Sequence, residues 1–346
     1  MSKATRIVIH KPGGYEKLQF DSFVPNQPTE YEVLVQTKAI GINYADICVR
    51  WGVYESAKQY VGWPITPGFE FSGTVVAVGE KVTQYTLGDD VFGVTRFDAY
   101  ASHVTVPEHQ LYHKPEHLSF EQAAGLPAVY LTAYHALFQQ VIIRPKSNIL
   151  IHSAAGGVGS ALVQMAKLKG HRVIGIVGNP SKKMYLRELG IDLVVSKQEE
   201  SWMKAAQAFA PKGLDIILDA NGYETLQDGY DLLAPMGKLI SYGFHTMLPK
   251  KGGRINWTKV IYAYLKTPRF NPVNMTSANK SLITFNLSFL FEYHELLSEA
   301  MNDILNWIEK KKIKAPKITT YPFKDVASAH RDIESGNTTG KLVLTR

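Results

Sequence analysis

The chain has 346 residues, 45% apolar and 20% charged, with a formal net charge of +7 and a single cysteine. That balance fits two folded domains of ordinary size and excludes a disordered chain or a disulfide scaffold. No uninterrupted run of about 18 apolar residues marks a membrane span, and the apolar part of the N-terminus is too short for a secretory signal. Cys48 alone rules out an intrachain disulfide, and a cytoplasmic location is expected. The basic balance suits a phosphate-bearing ligand. With no nucleic-acid motif and no dense Lys/Arg block, no nucleic-acid partner is expected.

Taken in chain order, the first third reads as β structure. The runs RIVIH, EVLVQTKAIGI, FSGTVVAVG, DVFGV and ASHVTVP are rich in Val, Ile, Thr and aromatics, with Gly, Pro, Asp and Asn between them. Many short strands with turn punctuation predict a barrel-like β unit. Near its end, EHQLYHKPEH spaces His109, His113 and His117 four apart. Pro107 and Pro115 interrupt any helix that would align them, so they read as surface-loop histidines.

From Ser119 the spacing becomes helical, and Ser119 with Gln122 has the spacing of a capping box. From about Asn148 strands and helices alternate. NILIHS is followed by a helix from about Val158, HRVIGIVG, a helix over SKKMYLRELG and then DLVVS. A helix over SWMKAAQAFA, LDIILDA, a helix over ETLQDGYDLL and GKLISYG complete the series. Such alternation predicts an α/β fold with a doubly wound parallel sheet. TFNLSFL is expected to add the last strand of that sheet, and ELLSEAMNDILNWIEKKKI a late amphipathic helix. The terminal GKLVLTR needs a partner, and the N-terminal β unit is the place for it. The expected division is therefore a discontinuous catalytic domain over 1–126 and 291–346 around a nucleotide-binding domain over 127–290.

The stretch IHSAAGGVGSALVQMAKLKG lies between a predicted strand and a predicted helix. Its frame Ala154-Ala155-Gly156-Gly157-Val158-Gly159 follows the G-x-G-x-x-G fingerprint with alanine at the first position. Gly156 allows close backbone approach to a pyrophosphate, Gly159 allows close helix–strand packing, and the helix N-terminus attracts phosphate. Ala155, Gly156, Gly157 and Val158 are thus candidate cofactor contacts. The next strand ends VIGIVGNPSKK, without the carboxylate that would hold a ribose 2′-hydroxyl. Gly178 and Asn179 stand there, with Lys182 and Lys183 following. A lysine pairs with a 2′-phosphate, so NADPH is expected over NADH.

The landmarks GINYADICVRWGVY, PGFEFSGTVVAVGEKV, GDDVFG, YLTAYHAL, AAGGVG, GLDIILDANG, PMGKLISYG and TTGKLVL resemble the medium-chain dehydrogenase/reductase superfamily over nearly the whole chain. Within it the chain is similar to the zinc-free quinone oxidoreductase (zeta-crystallin-like) group. From APKGLDIILDANG onward it is similar to the vesicle amine transport protein-like branch. The resemblance implies a GroES-like β-rich catalytic domain, a Rossmann NADP-binding domain and a homodimer. Zinc alcohol dehydrogenases of the superfamily carry Cys at Asn43, His at Phe69 and a four-cysteine lobe. Without those ligands no metal is expected, and a simple alcohol has no Lewis acid to acidify its hydroxyl. A quinone or an α,β-unsaturated carbonyl suits such a site better.

The resemblance also assigns residues. Asn43 and Tyr54 line the cleft beside the nicotinamide, and Asp46 lies on the same loop. Thr132, Ser241, Tyr242, Gly243, Phe285, Asn286 and Leu287 surround the nicotinamide half of the cofactor. Asn337 approaches its phosphates, and Lys197 stands where several relatives place a tyrosine near the 2′-phosphate. Ordinary structural roles compete with several of these: an Asx turn for Asn43, a cap or turn for Asp46, core packing for Tyr54, and an intrahelical bond for Thr132. The implied function is NADPH-dependent hydride transfer to a quinone or enone without zinc. The segment 248–270 mixes lysines and arginines with Trp257, Tyr262, Tyr264 and Phe270. It supports a rival reading, a membrane-associated NADPH-binding protein with little turnover. A third reading is an enone or enoyl-thioester reductase.

Overall fold

The computed structural model describes residues 4–248 and 255–346. The first part of the chain forms β1 (Ala4–Val8), β2 (Gln19–Phe23), β3 (Glu32–Ile42), α1 (Tyr44–Arg50), α2 (Glu55–Tyr60), β4 (Glu70–Val78), β5 (Asp90–Val94), β6 (His103–Pro107) and β7 (Leu111–His113). Helices α3 (Phe120–Ala124) and α4 (Pro127–Tyr134) follow, and the Ser119–Gln122 capping box is present at the start of α3. The alternating part is β8 (Asn148–Ile151), α5 (Gly157–Leu168), β9 (Arg172–Val177), α6 (Lys183–Glu188), β10 (Leu193–Ser196), α7 (Trp202–Phe209), β11 (Leu214–Asp219), α8 (Leu226–Asp231), β12 (Leu233–Ser241), α9 (Trp257–Lys266), α10 (Pro272–Ala278) and β13 (Ser281–Thr284). The chain closes with α11 (His294–Glu309), β14 (Ile318–Pro322), α12 (Val326–Ser335) and β15 (Lys341–Thr345).

Two large sheets result. The six-stranded sheet runs in the order β10-β9-β8-β11-β12-β13 with every pair parallel. Its central strands β8, β9 and β11 are rich in buried Val, Ile and Leu, as strands covered on both faces are. The direction of strand progression reverses beside β8, which makes the carboxyl edge there the place for a ligand. The seven-stranded sheet has the order β14-β15-β3-β4-β5-β7, with β6 also on β3. The terminal strand does return to the N-terminal unit, pairing Leu342 with Ile42 and Thr345 with Ala39.

One element differs from expectation. The last parallel strand is Ser281–Thr284, upstream of most of TFNLSFL. Its register ends where β12 ends, at Ser241 opposite Thr284. Beyond that point Phe285 keeps one bond to the Ser241 carbonyl, and Asn286 caps a 3-10 turn over Leu287–Phe289. The apolar residues that suggested a strand therefore fill the mouth of the sheet. His109, His113 and His117 are all exposed, with His113 in β7 and His109 in a 3-10 turn.

Candidate functional site

The glycine turn sits between β8 and α5, at the reversal point of the parallel sheet. No side chain caps α5, and its N-cap is Gly156 in extended geometry. A Cβ at Gly156 would meet nothing closer than the Ser153 carbonyl at 3.4 Å, an ordinary van der Waals contact, so the protein itself does not require glycine there. A Cβ at Gly159 would lie 2.5 Å from the Ser153 oxygen and 2.6 Å from the Ala154 Cα, which requires glycine where helix meets strand. Gly159 thus has the packing role that its spacing implied, and Gly156 leaves the backbone bare at the turn. Gly157 packs against Val129 of α4, and the Ala155 carbonyl accepts from the Gly340 amide at 2.9 Å. Val158 is partly exposed at the first turn of α5.

Along the same sheet edge, buried polar atoms lack partners. Asn221 Nδ2, just after β11, and Ser241 Oγ, at the end of β12, make no hydrogen bond. Asn221 Oδ1 accepts from the Ser153 hydroxyl at 2.9 Å, which holds the amide in place. Orphaned donors on a glycine-lined edge fit a polar ligand of nucleotide type. Asp219 beneath them is fully buried and accepts from the Asn221 and Gly222 amides, both at 2.8 Å, and from Thr225. His152 is also fully buried. It packs edge-on against Trp202, and burial pushes its imidazole well below the ordinary range, so it is neutral core.

At the end of β9, Gly178 has open space around its Cα and Asn179 caps a 3-10 turn through the Ser181 amide. Of the two lysines that follow, Lys183 is ion-paired with Glu199. Lys182 is buried and donates to the Gly336 carbonyl at 2.5 Å, joining the nucleotide-binding sheet to the end of α12. Burial lowers the Lys182 ammonium from its ordinary value. Lys197 follows β10 on the same edge with an exposed side chain. Asn337, beyond Gly336, is exposed, and its amide donates to Ser335.

The catalytic-domain side meets this edge through Tyr54. Its hydroxyl donates to Asn286 Oδ1 at 3.0 Å, and its ring stands edge-on to Phe69 at 5.6 Å and to Phe97 at 6.5 Å. Burial pushes the phenol up to about 12, so it stays protonated at neutral pH. Phe97 and the adjacent Asp98 have φ of 76° and 66°, a left-handed pair of non-glycine residues stored beside the cleft. On the sheet side, Phe285 meets His135 edge-on at 4.8 Å and Tyr242 at 6.2 Å, while Leu287 is buried. A Cβ at Gly243 would sit 2.9 Å from the Ala220 carbonyl. Thr132 bonds the Ala128 carbonyl one turn back at 2.7 Å, the intrahelical role that competed with its cofactor assignment.

Asn43 and Asp46 behave differently from each other. Asn43 is partly exposed, whereas Asp46 is fully buried and does not line the cleft. Asp46 accepts from the Asn43 amide at 2.7 Å, the Gly68 amide at 3.0 Å and the Tyr100 hydroxyl at 3.1 Å. It closes a capping box on α1, so it is a positioning residue. The Asn43 side chain donates to Glu70 Oε1 at 2.9 Å and accepts from Lys341 Nζ at 2.5 Å. Glu70, Lys341 and the chain from Asp46 through Tyr100, His330 and Arg50 to Glu334 were missed in the sequence. Arg50 donates to His330 Nδ1 at 3.2 Å, which leaves the other ring nitrogen to donate to Tyr100 at 3.1 Å. Arg50 and Glu334 form an ion pair at 2.5 Å with both side chains fully buried. Only the three-residue spacing of Asn43 and Asp46 carried a local signal. At the positions where the resemblance implies zinc ligands, Asn43 offers a neutral amide and Phe69 a carbon ring. No group of three or more His, Cys, Asp or Glu among the described residues suits a metal, so this donor set does not fit zinc.

Comparison with known proteins agrees with both sheets. Residues 29–116 match the family model "Alcohol dehydrogenase GroES-like domain", and residues 189–344 match "Zinc-binding dehydrogenase". The chain is 34% identical over 341 residues to the zebrafish (Danio rerio) synaptic vesicle membrane protein VAT-1 homolog, covering 98% of this chain and 69% of that protein. Among solved structures it is similar to Escherichia coli quinone oxidoreductase complexed with NADPH, at 30% identity and a TM-score of 0.84 over 99% of this chain and 100% of that one. It is also similar to the CurK enoyl reductase, at 26% identity and a TM-score of 0.84 over 99% of each chain.

Proposed function

The chain belongs to the medium-chain dehydrogenase/reductase superfamily, in the VAT-1-like branch of its zinc-free quinone oxidoreductase group, and from that premise we propose an NADPH-dependent reductase of quinones or α,β-unsaturated carbonyls that works without zinc. The observation that carries this reading is the Tyr54–Asn286 hydrogen bond at 3.0 Å. It brings the substrate-side loop against the end of the parallel sheet where a nicotinamide would lie. The E. coli relative complexed with NADPH supports the cofactor choice, as does the absence of a carboxylate at the end of β9.

Ala155, Gly156, Gly157 and Val158 hold the pyrophosphate against the N-terminus of α5. Asn221 and Ser241 bond the ribose side, and Lys182 with Lys197 binds the 2′-phosphate. When bound, the reduced nicotinamide supplies the hydride. The residues of the chain orient and desolvate. The buried Phe69 and Phe97 back the partly exposed Tyr54 ring, which offers an aromatic edge to a flat conjugated molecule. Tyr54 keeps its proton, donates a hydrogen bond through it to Asn286 Oδ1 and so fixes the substrate-side loop against the sheet. Water delivers the proton that completes reduction. The homodimer that the resemblance implies is part of this proposal. The test is NADPH oxidation with a panel of quinones and enones, with NADH in parallel. Turnover with a quinone and a preference for NADPH are expected, and no turnover with any acceptor would refute the reading.

A second reading has its own observation. On α9, Trp257, Ile261, Tyr262, Tyr264 and Leu265 are each more than half exposed, with Lys266 beside them. Such a face suits an anionic lipid surface, in line with the membrane protein named among the relatives. Lys250, Lys251 and Arg254 of the same segment lie outside the described residues. Co-sedimentation with phosphatidylserine vesicles, lost on Trp257→Ser with Tyr264→Ser, tests it.

A further inference from the structure

Three polar side chains meet beneath the cleft in a closed triangle. Lys341, the first residue of β15, places its ammonium 2.5 Å from Glu70 Oε1 and 2.5 Å from Asn43 Oδ1. Asn43 Nδ2 donates to the same Glu70 oxygen at 2.9 Å. The other Glu70 oxygen accepts from the Ala128 amide at the start of α4, at 2.7 Å. Lys341 is 3% exposed and Glu70 is fully buried, so Asn43 is the one corner of the triangle with surface to offer a ligand.

This arrangement fixes the amide in one orientation. A flip would press Nδ2 hydrogens against the ammonium and the amide oxygen against the carboxylate. The oxygen is therefore held by Lys341, and one of the two Nδ2 hydrogens is held by Glu70. The second hydrogen is left for a ligand. A cation on the oxygen end of an amide draws electron density from its nitrogen and strengthens the remaining N–H as a donor, more so out of water.

From this geometry we infer that Lys341 is a positioning residue that holds and polarises the Asn43 amide, making Asn43 the catalytic hydrogen-bond donor to the carbonyl oxygen of the acceptor. The inference rests on the reductase reading above and names the group that takes the place of a metal in it. A bound reduced nicotinamide would supply the hydride and both electrons; addition at the conjugated carbon would shift the C=C pair into a new double bond to the carbonyl carbon and the C=O pair onto the oxygen. The Asn43 N–H meets that oxygen, and water then supplies the proton.

Lys341→Met alone strands a buried carboxylate, so the decisive variant is Glu70→Gln with Lys341→Met, which removes both charges and keeps the shape. Lys341→Arg is the conservative rescue. Thermal unfolding and NADPH fluorescence titration first show that each variant folds and binds cofactor. With 1,4-naphthoquinone and NADPH, the double variant is expected to lose about tenfold in kcat, the scale of weakening an oxyanion donor rather than removing it. Its KM stays within about threefold, and the arginine variant recovers most of kcat. In parallel, the side-chain amide of Asn43, assigned by its loss in Asn43→Asp, is followed by NMR. Its signals are expected to shift in the double variant. They are also expected to move downfield when naphthoquinone is added to the NADP⁺-loaded wild type. A folded, cofactor-binding double variant with wild-type kcat overturns the inference, as do Asn43 signals that ignore the quinone. Should the wild type show no turnover, the reductase reading fails by itself, and the NMR titration still decides whether Asn43 donates to a bound carbonyl.

Discussion

Two alanine substitutions three residues apart should have opposite consequences. Gly159→Ala puts a methyl 2.5 Å from the Ser153 oxygen and 2.6–2.7 Å from Ala154 backbone atoms. None of these can swing aside as a side-chain tip would. Overpacking of this kind costs about 1–3 kcal/mol or somewhat more, against a gain of about 0.5–1 kcal/mol from removing glycine from a helix. A net loss near 2 kcal/mol lowers Tm by roughly 4–8 °C in a domain of this size. Gly156→Ala meets only the Ser153 oxygen at 3.4 Å, and its φ of −75° suits alanine. Its Tm should hold or rise, since such replacements gain about 0.4–1 kcal/mol through the unfolded state. Its methyl instead enters the groove proposed for the pyrophosphate. A contact loss above about 1.4 kcal/mol there weakens NADPH binding more than tenfold. Differential scanning calorimetry and NADPH fluorescence titration read the two effects separately. A Gly156→Ala protein that binds NADPH like the wild type would refute the groove assignment. A Gly159→Ala protein with unchanged Tm would refute the packing argument.

Other consequences are open to measurement. Lys182→Met should lower NADPH affinity by about 10- to 100-fold, the worth of one charge-assisted hydrogen bond, with little change for NADH in the same titration. Arg50→Met leaves Glu334 buried with Tyr15 at 2.6 Å as its remaining side-chain partner, and should cost about 3–5 kcal/mol in denaturant unfolding. Burial pushes the Asp46 carboxyl up to about 7. A carboxyl raised in the folded state contributes stability that is complete below its unfolded value of about 4 and is lost as pH rises through 7. The wild-type Tm should therefore fall relative to that of Asp46→Asn across that window, and parallel curves would show that Asp46 does not titrate there.

Much of the fold was legible because it rests on local pattern. The alternation after Asn148, the glycine turn and the pairing need of the terminal strand each followed from spacing and composition. The last parallel strand was misplaced because Phe285, Leu287 and Phe289 alternate with polar residues at strand period, whereas the strand itself is the short segment holding the half-buried Leu282 and Ile283. The glycine-lined edge of the parallel sheet was legible for the same reason as the turn: glycines and chain-adjacent residues line it. The support beneath the cleft was not, because its partners are far apart in sequence. Arg50 meets Glu334 across 284 positions and Asn43 meets Lys341 across 298. Nothing local distinguishes Lys341 from any lysine that opens a strand. Asp46 had a signal in its three-residue spacing from Asn43, and that spacing pointed to a cap rather than to the cleft. Lys182 looked like a solvated charge or a phosphate partner, and its bond to Gly336 needed the fold.

The central claim is hydride transfer from NADPH to a conjugated carbonyl with no metal at the site. The most direct measurement is reduced-nicotinamide absorbance during turnover of 1,4-naphthoquinone by protein dialysed against a strong chelator, with metal content read on the same sample. Metal-free protein that oxidises NADPH at the undialysed rate, and NADH more slowly, is the expected result. Turnover that vanishes on dialysis and returns with zinc would contradict the account.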